Sequence, residues 1–144
     1  MSTAKCDVTA SEQCLRFNTE MPPQMTVMLV EDEDDTRDAL AALLEENDYR
    51  VLQAPNGAEA LRILKEDPAG CRVILLDLMM PVMNGWDFRR HQKRTAGLAD
   101  IPVVLMSAGA QIACASDDLD AAGYISKPVE IDDLLETVER HCRG

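Results

Sequence analysis

From Thr26 onward, five short apolar runs alternate with longer stretches of helical period. The runs are Thr26–Val30, Arg50–Gln53, Val73–Leu76, Ile101–Met106 and Tyr124–Ser126. Asp35–Glu46 carries Leu40, Leu43 and Leu44 on one stripe, and Asn56 and Gly57 open a segment holding Leu61 and Leu64. Gly85–Arg94 contains Trp86 and Phe88, and Gln111–Ala122 is rich in Ala. Glu130–Cys142 repeats Ile131, Leu134, Leu135 and Val138 at the i, i+3, i+4, i+7 spacing of a helix face. Strands alternating with helices make βαβ units, and these build a parallel sheet. Val73–Leu76 and Ile101–Met106 are continuously apolar, as strands covered on both faces are. The expected fold is α/β: a doubly wound sheet of five parallel strands with five helices.

The remaining sequence is consistent with one such domain. The chain has 144 residues, a length at which roughly 70% of the unfolded surface can be buried. Aromatics make up only 3% of it, so the core is aliphatic. Residues 1–25 show no periodicity beyond a short helical hint at Glu12–Phe17 and end in Pro22–Pro23; they read as a flexible extension before a domain over 26–144. Fourteen Lys and Arg face 26 Asp and Glu, a net charge of −12. A chain that acidic repels phosphate backbones and anionic lipid, so no direct nucleic-acid or membrane contact is expected. No apolar run reaches the length of a membrane span, and the N-terminus has no export pattern. Cysteines at 6, 14, 71, 114 and 142 form no C-x-x-C, which suggests reduced thiols in a cytoplasmic protein.

Doubly wound sheets place their chemistry at the carboxyl ends of the strands. Here those ends carry Glu31–Asp32, Asp77, Ser107 and Lys127–Pro128. Two carboxylates about 4 Å apart repel by about 4 kcal/mol at an effective dielectric of about 20. A third makes a cation necessary, and an all-oxygen set favours Mg²⁺ or Mn²⁺. With a metal neutralising a phosphoryl group, Lys127 gripping one oxygen and Ser107 donating to another, a carboxylate there is a competent nucleophile toward phosphorus.

Asp77-Leu-Met-Met80-Pro81-Val-Met83-Asn-Gly85 resembles the D-x-x-M-P-x-M-x-G pattern of receiver domains in two-component response regulators, the CheY-like family. Glu31–Asp32, Ser107–Ala108 and Lys127–Pro128 stand in the order and at the separations of that family, and the resemblance covers about Thr26–His141. It implies a flavodoxin-like sheet of order 2-1-3-4-5 and a signalling module with only self-phosphorylation and self-dephosphorylation chemistry. Asp77 then resembles the phosphoacceptor. Asp32 resembles a direct metal ligand, Glu31 one acting mainly through bound water, and the Met79 backbone carbonyl a further ligand. Lys127 resembles the lysine that pairs with the phosphoryl group, and Pro128 is expected after a cis peptide bond. Ser107 and Tyr124 resemble the switch pair. The implied partners are a histidine kinase or phosphotransfer protein and a downstream protein bound by helix Gln111–Ala122, strand Tyr124–Ser126 and the last helix. With no effector domain following, a free-standing receiver is expected, the alternative being the receiver portion of a hybrid kinase or longer regulator. Family members more often carry Asp-Asp than Glu31–Asp32. Met79 and Gly109, two residues beyond Asp77 and Ser107, lack polar side chains to position water.

A reading from another class exists. Asp32-Glu-Asp34-Asp-Thr36 fits D-x-D-x-T, the nucleophile motif of haloacid-dehalogenase-type phosphatases, with Asp32 as nucleophile. It leaves the Asp77 pattern unexplained, and the later acidic pair, Asp132–Asp133, falls inside a helix. Asp35 is expected to be the N-cap of the first helix, Asp34 and Asp35 answering its dipole. Arg89, Arg90, Lys93 and Arg94 read as a solvated basic face, and His91 and His141 as surface residues.

Overall fold

The computed structural model describes residues 25–66, 71–80, 83–109 and 112–143. The extension predicted over 1–25 lies outside them apart from Met25, as do Pro81 and Gln111. The elements alternate as β1 (Met25–Val30), α1 (Asp34–Glu46), β2 (Tyr49–Ala54), α2 (Gly57–Glu66), β3 (Cys71–Asp77), α3 (Gly85–Lys93), β4 (Val103–Ser107), α4 (Ile112–Asp118), β5 (Gly123–Ser126) and α5 (Ile131–Arg143). All strands pair in parallel in the order β2-β1-β3-β4-β5, the order the resemblance implies.

Side chains alternate across each strand, so one sheet supplies two cores. Met28, Val30, Ile74, Leu76, Val103 and Leu105 face α2, α3 and α4, packing on Leu61, Leu64, Phe88 and Ile112. Val27, Leu29, Val73, Leu75, Val104 and Met106 face α1 and α5, packing on Leu40, Leu44, Leu134 and Val138. The central strands are buried along nearly their whole length, which is why they read as unbroken apolar runs.

Three local expectations need correction. The first helix begins at Asp34 with Glu33 at its N-cap, so Asp35 lies inside the first turn. Glu33 makes no side-chain cap bond to the backbone; its carboxylate accepts instead from the Thr36 hydroxyl. The fourth strand starts at Val103, because Pro102 has no N–H for a ladder; its carbonyl still accepts from Ile74 N at 2.9 Å. The fourth helix stops at Asp118, where the chain turns through Asp120 at φ +53°.

Candidate functional site

Three connections bring the strand ends together. Glu31 follows β1 directly and is 1% exposed; its amide donates to Ala54 O at the end of β2, and its carbonyl accepts from the Arg37 guanidinium. Asp77 ends β3 next door, 4% exposed. Lys127 leaves β5 across a cis bond to Pro128, its amide tied to Ser107 O at the end of β4. Lys127 Nζ lies 2.7 Å from Glu31 Oε1 and 3.3 Å from Asp77 Oδ2. Glu31, Asp32 and Asp77 each offer a carboxylate oxygen within 4.8 Å of the others, with Asp32 exposed and the other two buried. A set of hard oxygen donors, one side open to water, fits a small divalent cation and not zinc.

The electrostatics are those of a crowded anionic pocket with the Lys127 ammonium as counter-ion. Burial, together with the neighbouring Glu31 carboxyl, pushes the Asp77 carboxyl up to about 7, against the opposing pull of the Lys127 ammonium and the Met79 amide. Burial alone would lower the Lys127 ammonium, but Glu31 and Asp77 outweigh it and hold it above its ordinary value. Asp77 Oδ1 also accepts from Met79 N at 3.1 Å, which fixes the carboxylate's rotation and leaves the Met79 side chain 66% exposed.

Gly85, the first residue of α3, packs directly on Leu78 beside Asp77. Its amide donates to Leu78 O at 3.0 Å, and a Cβ there would stand 2.9 Å from Leu78 Cδ1 and 3.1 Å from Leu78 Cα. Asn84 caps α3 by accepting from Asp87 N. Beside the carboxylates opens a cleft of about 680 Å³ lined by Asp77, Met79, Trp86, Ser107, Ile112 and Lys127, among others. Ser107 is buried at the end of β4, its Oγ accepting from Gly109 N. Tyr124 pairs with Leu105 across β4 and β5, so it shares Ser107's face of the sheet. Its ring is 48% exposed.

Of the phosphatase motif, only the nucleophile position Asp32 is in this cluster. Asp34 starts α1 and pairs with Arg37 at 2.6 Å, and Asp132 and Asp133 lie in the first turn of α5. Among the basic residues, Arg89 departs from the solvated face expected for it and is 7% exposed within a polar network under α4. The helical phase carried that signal: Gly85, Phe88, Arg89 and Gln92 form one buried i, i+3, i+4, i+7 stripe. No described helix is long and apolar enough to cross a membrane.

A sequence profile of the response regulator receiver domain matches residues 27–139. Sensor kinase CckA of Brucella abortus is 33% identical over 134 residues, covering 92% of this chain and 14% of that protein. Protein PilH of Pseudomonas aeruginosa is 28% identical, covering 82% of this chain and 98% of that protein. Among solved structures, chemotaxis protein CheY4 of Vibrio cholerae superposes with a TM-score of 0.75 at 26% identity, over 83% of this chain and 99% of that one.

Proposed function

This chain belongs to the response regulator receiver domain family, and from that premise we propose that Asp77 is its phosphoacceptor. A carboxylate oxygen of Asp77 attacks the phosphorus of a phosphohistidine on a partner histidine kinase or phosphotransfer protein. The new O–P bond forms as the N–P bond breaks, and the freed histidine takes its proton from solvent. Asp32 and Asp77, the Met79 carbonyl and, through water, Glu31 would hold Mg²⁺ or Mn²⁺. A bound metal would neutralise charge on the transferring phosphoryl oxygens. Lys127, already 3.3 Å from Asp77 Oδ2, orients the nucleophile and then pairs with the phosphoryl group. Ser107 donates to a phosphoryl oxygen, and Tyr124 turns inward into the space that opens. Output passes to a protein target through the α4, β5 and α5 surface, without direct nucleic-acid contact, in the cytoplasm. The receiver occupies 26–144, residues 1–25 form an extension, and chemistry is limited to the domain's own phosphorylation and dephosphorylation.

One observation carries this reading: three carboxylates within 4.8 Å of one another share a pocket with an ammonium that contacts two of them. Acetyl phosphate with Mg²⁺ should add one phosphoryl mass to the intact protein, and Asp77→Asn should abolish the gain. If Asp32→Asn alone abolished it while Asp77→Asn retained it, Asp32 would be the nucleophile and the proposal would fall.

A further inference from the structure

The end of α4 far from the phosphorylation site is held by a buried guanidinium that the proposed chemistry does not use. Following α4, the Ala122 amide donates to Val103 O at the start of β4, the sheet edge opposite Asp77, Ser107 and Lys127. The helix closes on Asp120 at φ +53°, with Ala121 N donating to Ser116 O and Asp120 N to Asp117 O. That pattern is a left-handed C-terminal cap, a position usually filled by glycine. Here an aspartate occupies it, and the backbone is secured from outside. Arg89 on α3 donates from Nε to Leu119 O and from Nη2 to Asp120 O, both at 2.9 Å. Its third nitrogen donates to Gln92 Oε1 at 2.7 Å. Gln92, fully buried, donates in turn to Leu98 O and Ile101 O on the approach to β4. Two adjacent side chains of α3 therefore tie down the entries to both β4 and β5.

We infer that Arg89 is a positioning residue, a latch that pins the distal end of α4 and confines any phosphorylation-driven rearrangement to its proximal end. The inference rests on the receiver reading for what drives the motion, but not for the latch itself. Relative magnitudes decide that the latch stays closed. A hydroxyl at Ser107 that gains a charged acceptor is worth less than a buried guanidinium loses when stripped of its two backbone acceptors, Leu119 O and Asp120 O. The switch at the top of the sheet lacks the free energy to open the network at the bottom. The helix therefore swings as a lever from Leu119–Asp120, its largest displacement at Ile112.

Amide-resolved hydrogen exchange on the full chain, with and without Mg²⁺ and beryllofluoride as a stand-in for the phosphoryl group, tests this. In the wild type the amides of Gly109 and Ile112 should change on addition, while those of Leu119, Asp120 and Ala121 stay within about twofold. In Arg89→Met, those three amides should exchange about tenfold faster or more, relative to the β1 amides, before any addition. The beryllofluoride response should then spread to them. Lys93→Met removes only the outer Lys93–Asp120 pair at 3.7 Å and should behave as the wild type. The Arg89→Met comparison without beryllofluoride probes the latch whatever the phosphoryl chemistry, and the wild-type arm requires no variant to fold. A wild-type response at Leu119–Ala121 as large as that at Ile112, or unaltered exchange of those amides in Arg89→Met, would overturn the inference.

Discussion

At the scale of single residues, Asp77 combines two demands that pull in opposite directions. In the proposed chemistry it is buried beside Lys127, which aims it, yet must be ionised to attack phosphorus. With its carboxyl pushed up to about 7, a proton and a metal ion compete for the same oxygens. Mg²⁺ affinity, followed by Trp86 fluorescence, should therefore fall about tenfold from pH 8 to pH 6 and level off above pH 8. A pH-independent affinity would contradict that competition. The same shift has a stability consequence whose sign is fixed. The folded state keeps the Asp77 proton up to about pH 7, whereas the unfolded chain releases it near the ordinary carboxylate value. The contribution is thus fully present below that unfolded value and lost as pH rises through about 7. Without metal, Asp77→Asn should match the wild type near pH 4 and exceed its stability at pH 8, measured by urea titration. In the proposed mechanism Ser107 acts later than Asp77. Ser107→Ala should leave acetyl phosphate labelling of Asp77 largely intact while reducing the beryllofluoride-induced exchange change at Ile112 by about tenfold. A full wild-type change in that variant would remove Ser107 from the switch.

At the scale of elements, α3 shows both what was readable in advance and what was not. Its first residue, Gly85, closes the pattern that pointed to Asp77, and the structure gives that glycine a steric reason; the capping Asn84 falls on an unspecified position of the pattern. Gly85→Ala should gain a few tenths of a kcal/mol to about 1 kcal/mol of helix propensity. It places a Cβ 3.1 Å from backbone at Leu78, however, and overpacking of that kind costs about 1–3 kcal/mol. The net effect should be a loss of stability and slower labelling of the adjacent Asp77, read by thermal unfolding and by intact mass against time. Unchanged values would mean the loop can yield. The central strands were legible because burial on both faces leaves unbroken aliphatic runs, and the candidate site was legible because its residues lie at or just beyond strand ends. Arg89 was hidden by its neighbours. A run of Arg89, Arg90, Lys93 and Arg94 looks like a wetted face, and only registering it against Phe88 puts Arg89 on the buried side. Element ends were set by details that apolar periodicity does not encode, such as Pro102 before β4 and the left-handed Asp120 after α4.

At the scale of the whole molecule, a net charge of −12 raises the question whether a divalent cation acts at one site or over the surface. Mg²⁺ at about 100 times its dissociation constant should stabilise the folded chain by about 2.7 kcal/mol if it binds one site in the native state. Thermal unfolding with matched ionic strength in Na⁺ separates the two effects. The Mg²⁺-specific rise in Tm should vanish in Asp32→Asn, and a rise that survived would assign it to general screening. The pair Lys127–Glu31 joins residues 96 positions apart, which has a meaning in time as well as in space. At about 5–20 residues per second, synthesis needs roughly 5–20 s to pass from Glu31 to Lys127. Throughout that interval the nascent chain carries Glu31 without the ammonium that pairs with it. Until the last strand has been made, the pocket's carboxylates therefore stand without the counter-ion that joins two of them in the finished fold.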